Sequence, residues 1–168
     1  MTISLVTTPG ALNANSYVSL DEANFYFETS IWNDTWHNSD DNIKKACLIW
    51  ATRTLDLYIC WRGSVTTEDQ ALGLPRSGLV HKNGWAVEDD EIPVAVKNAT
   101  CELAMRLIEE NVVAKPDSEG IASFKIGEIF IEFEKKYKPQ PITDFIWLMV
   151  KPYGYKSNQF NSIEIIRT

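Results

Sequence analysis

The sequence has few of the residues that carry most enzymatic and metal chemistry. It contains only two histidines, His37 and His81, and neither stands in a metal-ligand spacing. Its three cysteines, Cys47, Cys60 and Cys101, are scattered, which is typical of small buried hydrophobes rather than of disulfides or metal ligands. The glycines are too dispersed for a phosphate-binding loop, and no serine has a nucleophile-elbow context. We therefore predict no enzymatic activity, no metal and no cofactor.

Basic charge is also in short supply. The chain has 16 Lys and Arg and 23 Asp and Glu, so the formal net charge is −7 and the pI is near 4.8. Non-specific binding to nucleic acid comes from phosphates neutralised by Lys and Arg, and an acidic chain lacks that contribution overall. The basic clusters are short, such as Lys135-Lys136 with Lys138. Tight DNA binding by the isolated protein is therefore disfavoured.

Long hydrophobic runs are missing as well. No apolar stretch is long enough to cross a bilayer, and Met1 to Pro9 lacks basic residues before an apolar segment. We expect neither a membrane span nor a signal peptide. With 168 residues, of which 45% are hydrophobic, the chain is long enough for one domain with a core of its own.

Four helical patterns are present, so the predicted fold class is mainly α. Ser19-Leu20-Asp21-Glu22 is a capping box that starts the first helix, which runs to about residue 29. Ser39 or Asp40 caps the second, which continues to about residue 59. Pro93 opens the third, to about residue 112, and the fourth follows Pro141 and is closed by Pro152.

The second helix is predicted to be the central one, because it is apolar over more than half of its circumference. Two adjacent stripes recur near the 3.6-residue period: Ile43, Cys47, Trp50, Leu57 and Tyr58 in the first, and Leu48, Ala51, Leu55 and Ile59 in the second. The remaining side carries Lys45, Thr52, Arg53 and Asp56. The six tryptophans could form a stacking platform for single-stranded nucleic acid. The places of Trp50 and Trp147 on helical core stripes favour core or interface roles instead.

The rest of the chain is predicted to be loop, hairpin and arms. Residues 1–16 form an N-terminal arm, residues 17–152 a helical domain, and residues 153–168 a tail that could add a strand to a neighbour. A long ordered loop spans 62–91, and a β-hairpin spans 123–133 around a Gly-Glu turn.

Within the long loop, Gln70 to Gly78 supplies a fixed turn, one guanidinium and one amide, which suits a docking element. Two interpretations of Arg76 stay open. It could cap carbonyls or pair with a helix carboxylate and so hold the loop on its own domain. Alternatively, it could reach an adjacent subunit, where arginine is a preferred anchor.

Several stretches together resemble a tailed-phage family that carries the label "DnaT-like", and are similar to head–tail connector (adaptor, or head completion) proteins. The resemblance covers roughly residues 15–152. It is carried by Asn15 to Ser19, Glu22-Ala23, Tyr26-Phe27, Ala46 to Asp56, Gln70 to Leu72, Pro75 to Gly78, Ile92-Pro93, Ala99 to Ala104 and Lys125 to Ile129. The family pattern commonly has Trp before the Pro-Arg pair, where this chain has Leu74.

This resemblance implies a four-helix connector-type bundle with a small β-hairpin and extended N- and C-terminal arms, assembled as a ring that is usually a dodecamer. The ring would lie at the neck of the virion after assembly in the host cytoplasm. It would contact the portal protein and a stopper or tail-completion protein, and DNA would pass through it without sequence-specific binding. We take as interface or loop-ordering candidates Trp61, Arg62, Gln70, Leu74, Pro75, Arg76, Trp85, Phe130, Ile163 and Ile165. The alternative is a replication accessory protein that binds single-stranded DNA through surface Trp and Lys residues.

Overall fold

A computed structural model describes residues 3–31, 33–109, 123–126, 129–132 and 140–157. The helices are α1 Leu20–Glu28, α2 Asp34–His37, α3 Asp41–Tyr58, α4 Val94–Glu109 and α5 Asp144–Val150. The strands are β1 Ile59–Trp61, β2 Ser64–Val65, β3 Arg76–Ser77, β4 Ser123–Ile126, β5 Ile129–Glu132 and β6 Gly154–Lys156. The predicted mainly α class with a small β-hairpin is confirmed.

The helices α1 and α3 begin where the predicted caps place them, whereas the short helix α2 was not predicted. Ser19 Oγ accepts from Glu22 N at 3.2 Å, and Glu22 Oε2 accepts from Ser19 N at 2.8 Å, so the capping box is formed. Asp40, rather than Ser39, caps α3 by accepting from the backbone N–H of Asn42 at 2.8 Å. The predicted third helix, α4, begins one residue after Pro93.

The core is centred on the packing of α3 against α4. Leu48, Ala51 and Leu55 of α3 are fully buried, as are Val96 and Leu103 of α4. Each large apolar side chain removed from water in this way contributes roughly 1.5–3 kcal/mol. The contact therefore supplies a large share of the hydrophobic stabilisation, and it places the second predicted stripe of α3 in the core.

The first predicted stripe of α3 was placed wrongly for three of its five residues, since only Cys47 and Tyr58 are partly buried against the core. Ile43, Trp50 and Leu57 are 51%, 53% and 55% exposed. Conversely, Thr52, which we placed on the polar side, is fully buried. Its hydroxyl accepts from Tyr17 N at 3.2 Å and donates to Leu48 O at 3.0 Å, so burial leaves no hydrogen-bonding group unpaired.

Two short antiparallel pairs were not predicted. β1 pairs with β6, so that Trp61 lies opposite Gly154, and β2 pairs with β3 inside the long loop. The predicted tail thus begins with a strand that closes on its own domain. The Asn83-Gly84 turn brings Val80 and Ala86 into a single bridge. β4 and β5 form the predicted hairpin, and its turn lies outside the described residues.

Residues 3–16, the predicted N-terminal arm, are held against the domain by hydrogen bonds. Val6 N donates to Asn15 Oδ1 at 2.8 Å, and Asn15 N donates back to Val6 O at 2.9 Å. Ile3 N donates to Asn42 Oδ1 at the start of α3, at 3.2 Å. Among the described residues, none of the helices has the length and apolar character needed to span a membrane.

We predict that replacing Glu22 with Gln lowers the melting temperature at pH 7 and has less effect in acid. Partial burial acts to raise the pKa of Glu22, but hydrogen bonds from Lys97 Nζ, at 2.6 Å, and from Ser19 outweigh it and hold the pKa below the ordinary 4.5. A carboxyl group with a lowered folded-state pKa stabilises above its unfolded pKa and loses that contribution as the pH falls through its folded pKa.

The measurement is thermal unfolding followed by circular dichroism from pH 7 to pH 3. The difference between wild type and Glu22→Gln should shrink below about pH 4.5. Glu28→Gln, on the outward side of the same helix, is the matched control and should stay close to wild type throughout. A Glu22→Gln deficit that is constant with pH would show that the charge at this position does not stabilise the fold.

Candidate functional site

The long loop is anchored by the carboxylate of Asp56, near the end of α3. Asp56 Oδ1 accepts from Trp61 Nε1 at 2.7 Å and also from the Tyr17 hydroxyl. Asp56 Oδ2 accepts from Gly73 N at 3.0 Å, and Leu74 N donates to Tyr17 Oη at 3.2 Å. One side chain thus joins the N-terminal segment, β1 and the loop. We call Tyr17, Asp56, Trp61, Gly73 and Leu74 the loop anchor.

Burial and mutual hydrogen bonding shift the pKa values of the two titratable groups in the loop anchor, Asp56 and Tyr17. Burial raises the pKa of Asp56 above its ordinary value, although the hydrogen bonds from Tyr17, Gly73 and Trp61 act in the opposite direction. Burial, together with the charge and the hydrogen bond of Asp56, raises the pKa of Tyr17 well above 10. Tyr17 therefore remains a protonated donor at physiological pH, and Asp56 is its acceptor.

The side-chain amide of Gln70 closes the loop on itself. Its Oε1 accepts from Thr66 N at 3.1 Å and from Thr67 N at 3.2 Å. Its Nε2 donates to Leu72 O at 2.8 Å and to Pro75 O at 3.1 Å. An amide whose two ends are both occupied fixes the backbone on either side of it.

Arg76 also bonds within the loop. Its Nε and Nη2 donate to Gly63 O at 3.2 and 3.0 Å, and its Nη1 donates to Gly73 O at 3.4 Å. Gly63, whose carbonyl accepts from Arg76, has a φ of +71°, and a Cβ added there would lie 2.1 Å from Ser77 O. The geometry is therefore that of the first interpretation, in which Arg76 caps carbonyls of its own domain.

The other candidate residues are in varied surroundings. Trp61, Leu74 and Pro75 are buried. Arg62 is exposed and donates from Nη1 to Pro152 O at 3.2 Å, whereas Trp85 is 75% exposed. Phe130 pairs with Lys125 in the β4–β5 hairpin, and Ile163 and Ile165 lie outside the described residues.

Asp56, Tyr17 and Gly73 were missed as a site. The sequence did contain an indication of this site, because Tyr17 and Asp56 both belong to stretches that carry the family resemblance. Helical periodicity alone assigned Asp56 to the polar side of α3. The contacts that make it an anchor join residues 39 positions apart, from Asp56 to Tyr17, and 57 apart, from Tyr17 to Leu74.

Large apolar side chains are exposed on several helices outside the loop anchor. Phe25 of α1, Trp50 of α3 and Leu148 of α5 are 71%, 53% and 66% exposed. The guanidinium of Arg53 lies 5.6 Å from the ring centre of Trp50. Trp147 was also predicted to be a core residue, and it is partly buried at the edge of the core with Lys156 Nζ 5.3 Å from its ring.

Two open clefts on the described surface are bordered by carboxylates. Their volumes are about 530 and 470 Å³, and Pro9, Glu88 and Asp90 line both. A cleft bordered by acidic side chains repels a phosphate backbone. Neither cleft therefore has the chemistry of a nucleic-acid groove.

Comparison with known proteins places the chain in a family. The family model described as "Putative DnaT-like ssDNA binding protein" matches residues 1–168, which is the whole chain. The protein belongs to this family, whose description is that of a binding protein. No curated protein and no solved structure matches the chain.

We predict that Gly73→Ala destabilises the protein by about 2–3 kcal/mol, because it disrupts a hydrogen-bonded, partly buried cluster. The new Cβ would lie 2.5 Å from Trp61 Cδ1, 2.6 Å from Trp61 Nε1 and 2.7 Å from Asp56 Oδ1. Both side chains are held by hydrogen bonds and cannot move aside freely. The measurement is urea unfolding followed by circular dichroism. Ala71→Ser, which adds one heavy atom at an exposed position of the same loop, should stay within about 0.5 kcal/mol of wild type. Equal stabilities for the two variants would contradict the role of the loop anchor.

We expect Arg76→Ala to lower the free energy of unfolding by roughly 1.5–3 kcal/mol, the range for hydrogen bonds from a charged group. Arg76→Lys should recover only part of the loss, since an ammonium group cannot reproduce the two-nitrogen contact with Gly63 O. Arg62→Ala is the control, because Arg62 is exposed and its guanidinium contacts a single carbonyl. Wild-type stability in Arg76→Ala, with a defect only in assembly, would support the second interpretation of Arg76.

Proposed function

We propose that this protein is a structural head–tail connector of a tailed bacteriophage, which forms a ring between the portal and the tail or stopper and lets DNA pass. The observation that carries the proposal is the number of separate apolar surfaces on an acidic chain. Phe25, Trp50, Trp85 and Leu148 lie on three helices and one loop, and each is more than half exposed.

The distribution of these surfaces favours several protein neighbours. Exposed apolar patches on soluble proteins mark interaction sites once they become large. A subunit in a ring between two partners needs contacts on both sides, above and below. Several exposed faces on one small domain meet that need, whereas a single ligand site would concentrate them in one place.

The charge also supports passage of DNA rather than retention. The chain carries a net charge of −7, and the two clefts described above are bordered by carboxylates. A channel of like charge to the phosphate backbone does not hold the DNA. This is what a connector requires while the genome passes through it.

The loop anchor supplies rigidity. Because Asp56, Gln70 and Arg76 fix the loop before any partner arrives, exposed residues of the loop such as Arg62 and Trp85 are presented with little loss of entropy on binding. We propose that these two residues contact neighbouring proteins. We also propose that Ile163 and Ile165 in the C-terminal tail join a neighbour by strand addition.

Single-stranded DNA binding is the second candidate function, and the family description favours it. Within the described residues, two cation–aromatic pairs are consistent with it: Arg53 with Trp50, and Lys156 with Trp147. Aromatic faces beside cations are the usual elements of single-strand binding surfaces.

The two functions are separated by fluorescence anisotropy with a labelled oligo-dT of about thirty nucleotides, at 50 and 150 mM salt. The connector proposal predicts no binding at micromolar protein and 150 mM salt. Binding in the submicromolar range that weakens in Trp50→Ala and Arg53→Ser, but not in Trp85→Ala, would overturn it in favour of the second candidate. Negative-stain microscopy with the cognate portal provides the positive test, in which a ring should appear on one face of the portal.

A further inference from the structure

We propose that the outward side of α3 in one copy packs against the outward side of α1 in the next copy, and that this contact builds the ring. The inference rests on the proposed function and specifies the subunit interface. We define the α3 outer face as Ile43, Ala46, Trp50, Arg53 and Leu57, and the α1 outer face as Asp21, Phe25, Glu28 and Thr29.

The α3 outer face has the spacing of a helix-docking seam. Its positions recur every three and four residues in turn, which is the a/d pattern of helices that pack along their length. At 1.5 Å per residue the seam is about 21 Å long. Ile43, Trp50 and Leu57 occupy equivalent positions, and each is at least half exposed. Because the opposite side of α3 is buried on α4, this helix has a second apolar side with no cover among the described residues.

The α3 outer face carries a positive charge on an otherwise acidic chain. Arg53 is exposed, and its guanidinium lies 5.6 Å from the ring centre of Trp50. A complementary surface needs an apolar group for Trp50 and a carboxylate for Arg53. Charge complementarity of this kind sets the partner and the register of an interface.

The α1 outer face offers both groups. Phe25 is 71% exposed, and Asp21 and Glu28 are exposed on the same side of the helix, at spacings of four and three residues. The opposite side of α1 buries Ala23 and Phe27 in the core. The α1 outer face therefore offers Phe25 as an apolar contact for Trp50, and Asp21 and Glu28 as carboxylates for Arg53.

Other pairings fit less well. Packing of α3 against α3 would bring two copies of Arg53 towards each other, and like charges at an interface are costly. The helix α5 exposes Phe145 and Leu148 with exposed Asp144 at one end, but exposed Lys151 at the other end would repel Arg53. On the α1 outer face, the exposed apolar side chain has acidic groups on both sides along the helix.

The contact joins two different surfaces of the same chain, so it is heterologous. Each subunit then offers one face to the neighbour on its left and the other to the neighbour on its right. Heterologous contacts of this kind close into rings when the rotation between subunits is a simple fraction of a turn.

The test uses two variants, Trp50→Asp, which blocks the α3 outer face, and Phe25→Asp, which blocks the α1 outer face. Sedimentation velocity of the wild type at concentrations up to about 1 mM should show species larger than dimers. Each variant alone should be monomeric, because each lacks one half of the contact. A 1:1 mixture should form a dimer and nothing larger, since the intact α3 face of one variant pairs with the intact α1 face of the other.

Two controls keep the test specific. Leu12→Asp changes a leucine that is 75% exposed and belongs to neither face, so it should assemble like wild type. Far-UV circular dichroism and melting temperature should be unchanged in all three variants, since the substituted side chains are exposed.

Arg53→Glu should weaken association about tenfold or more, corresponding to at least 1.4 kcal/mol. A partner subunit with Asp21→Arg and Glu28→Arg should restore it.

Three outcomes would overturn the inference. Phe25→Asp that associates like wild type would point to packing of α3 on itself. A mixture of the two variants that stays monomeric would contradict the pairing of the α3 outer face with the α1 outer face. A wild type that is monomeric at 1 mM would also contradict it. Rings on the portal that persist in both variants would leave the connector function standing without this interface. Submicromolar oligonucleotide binding by a monomeric wild type would contradict both the connector function and the proposed interface.

Discussion

The carboxylate of Asp56 accepts hydrogen bonds from groups in three separate segments of the chain, and the long loop depends on that arrangement. A carboxylate taken out of water is costly unless its oxygens find donors. Here the phenol of Tyr17, the indole of Trp61 and the backbone N–H of Gly73 supply them. Since Leu74 N donates in turn to Tyr17, loss of the carboxylate would leave several partly buried donors unpaired. The end of α3, the N-terminal segment and the loop are therefore fixed together.

This anchoring changes what the loop can do. About thirty residues without a helix would ordinarily carry a large entropic cost on binding, because each residue fixed costs about 1–2 kcal/mol of backbone entropy. Gln70 and Arg76 extend the order from the Asp56 carboxylate across the loop, through backbone carbonyls and amides. The exposed surfaces of the loop are consequently held in place by the domain itself. Recognition by this protein then depends on which side chains the fixed backbone leaves exposed.

The four longer helices could be predicted from sequence because their signals are local. The capping box at Ser19 and the cap at Asp40 act over three residues, and both are formed. The two apolar stripes of α3 share the same period, so the sequence did not determine which one meets α4, and we assigned both to the core. Asp56 was assigned to the solvent side for a related reason. Its partners come from elsewhere in the chain, as does β6, whose neighbouring Pro152 contacts Arg62 across 90 residues.

The exposure of Trp50 removes one of our two arguments against DNA binding and leaves the argument from charge. The same side chain can serve either function, and its surroundings distinguish them. Arg53 already lies near the indole ring, so a stacked base would have to displace the guanidinium or use the other side of the ring. A docking helix has no such conflict, because it can contact the indole and offer a carboxylate to Arg53 at the same time. Ile43 and Leu57 each lie about two turns from Trp50 on the same side, where a docking helix would cover them and a stacked base would not. The apolar seam therefore supports the proposed contact with a protein neighbour.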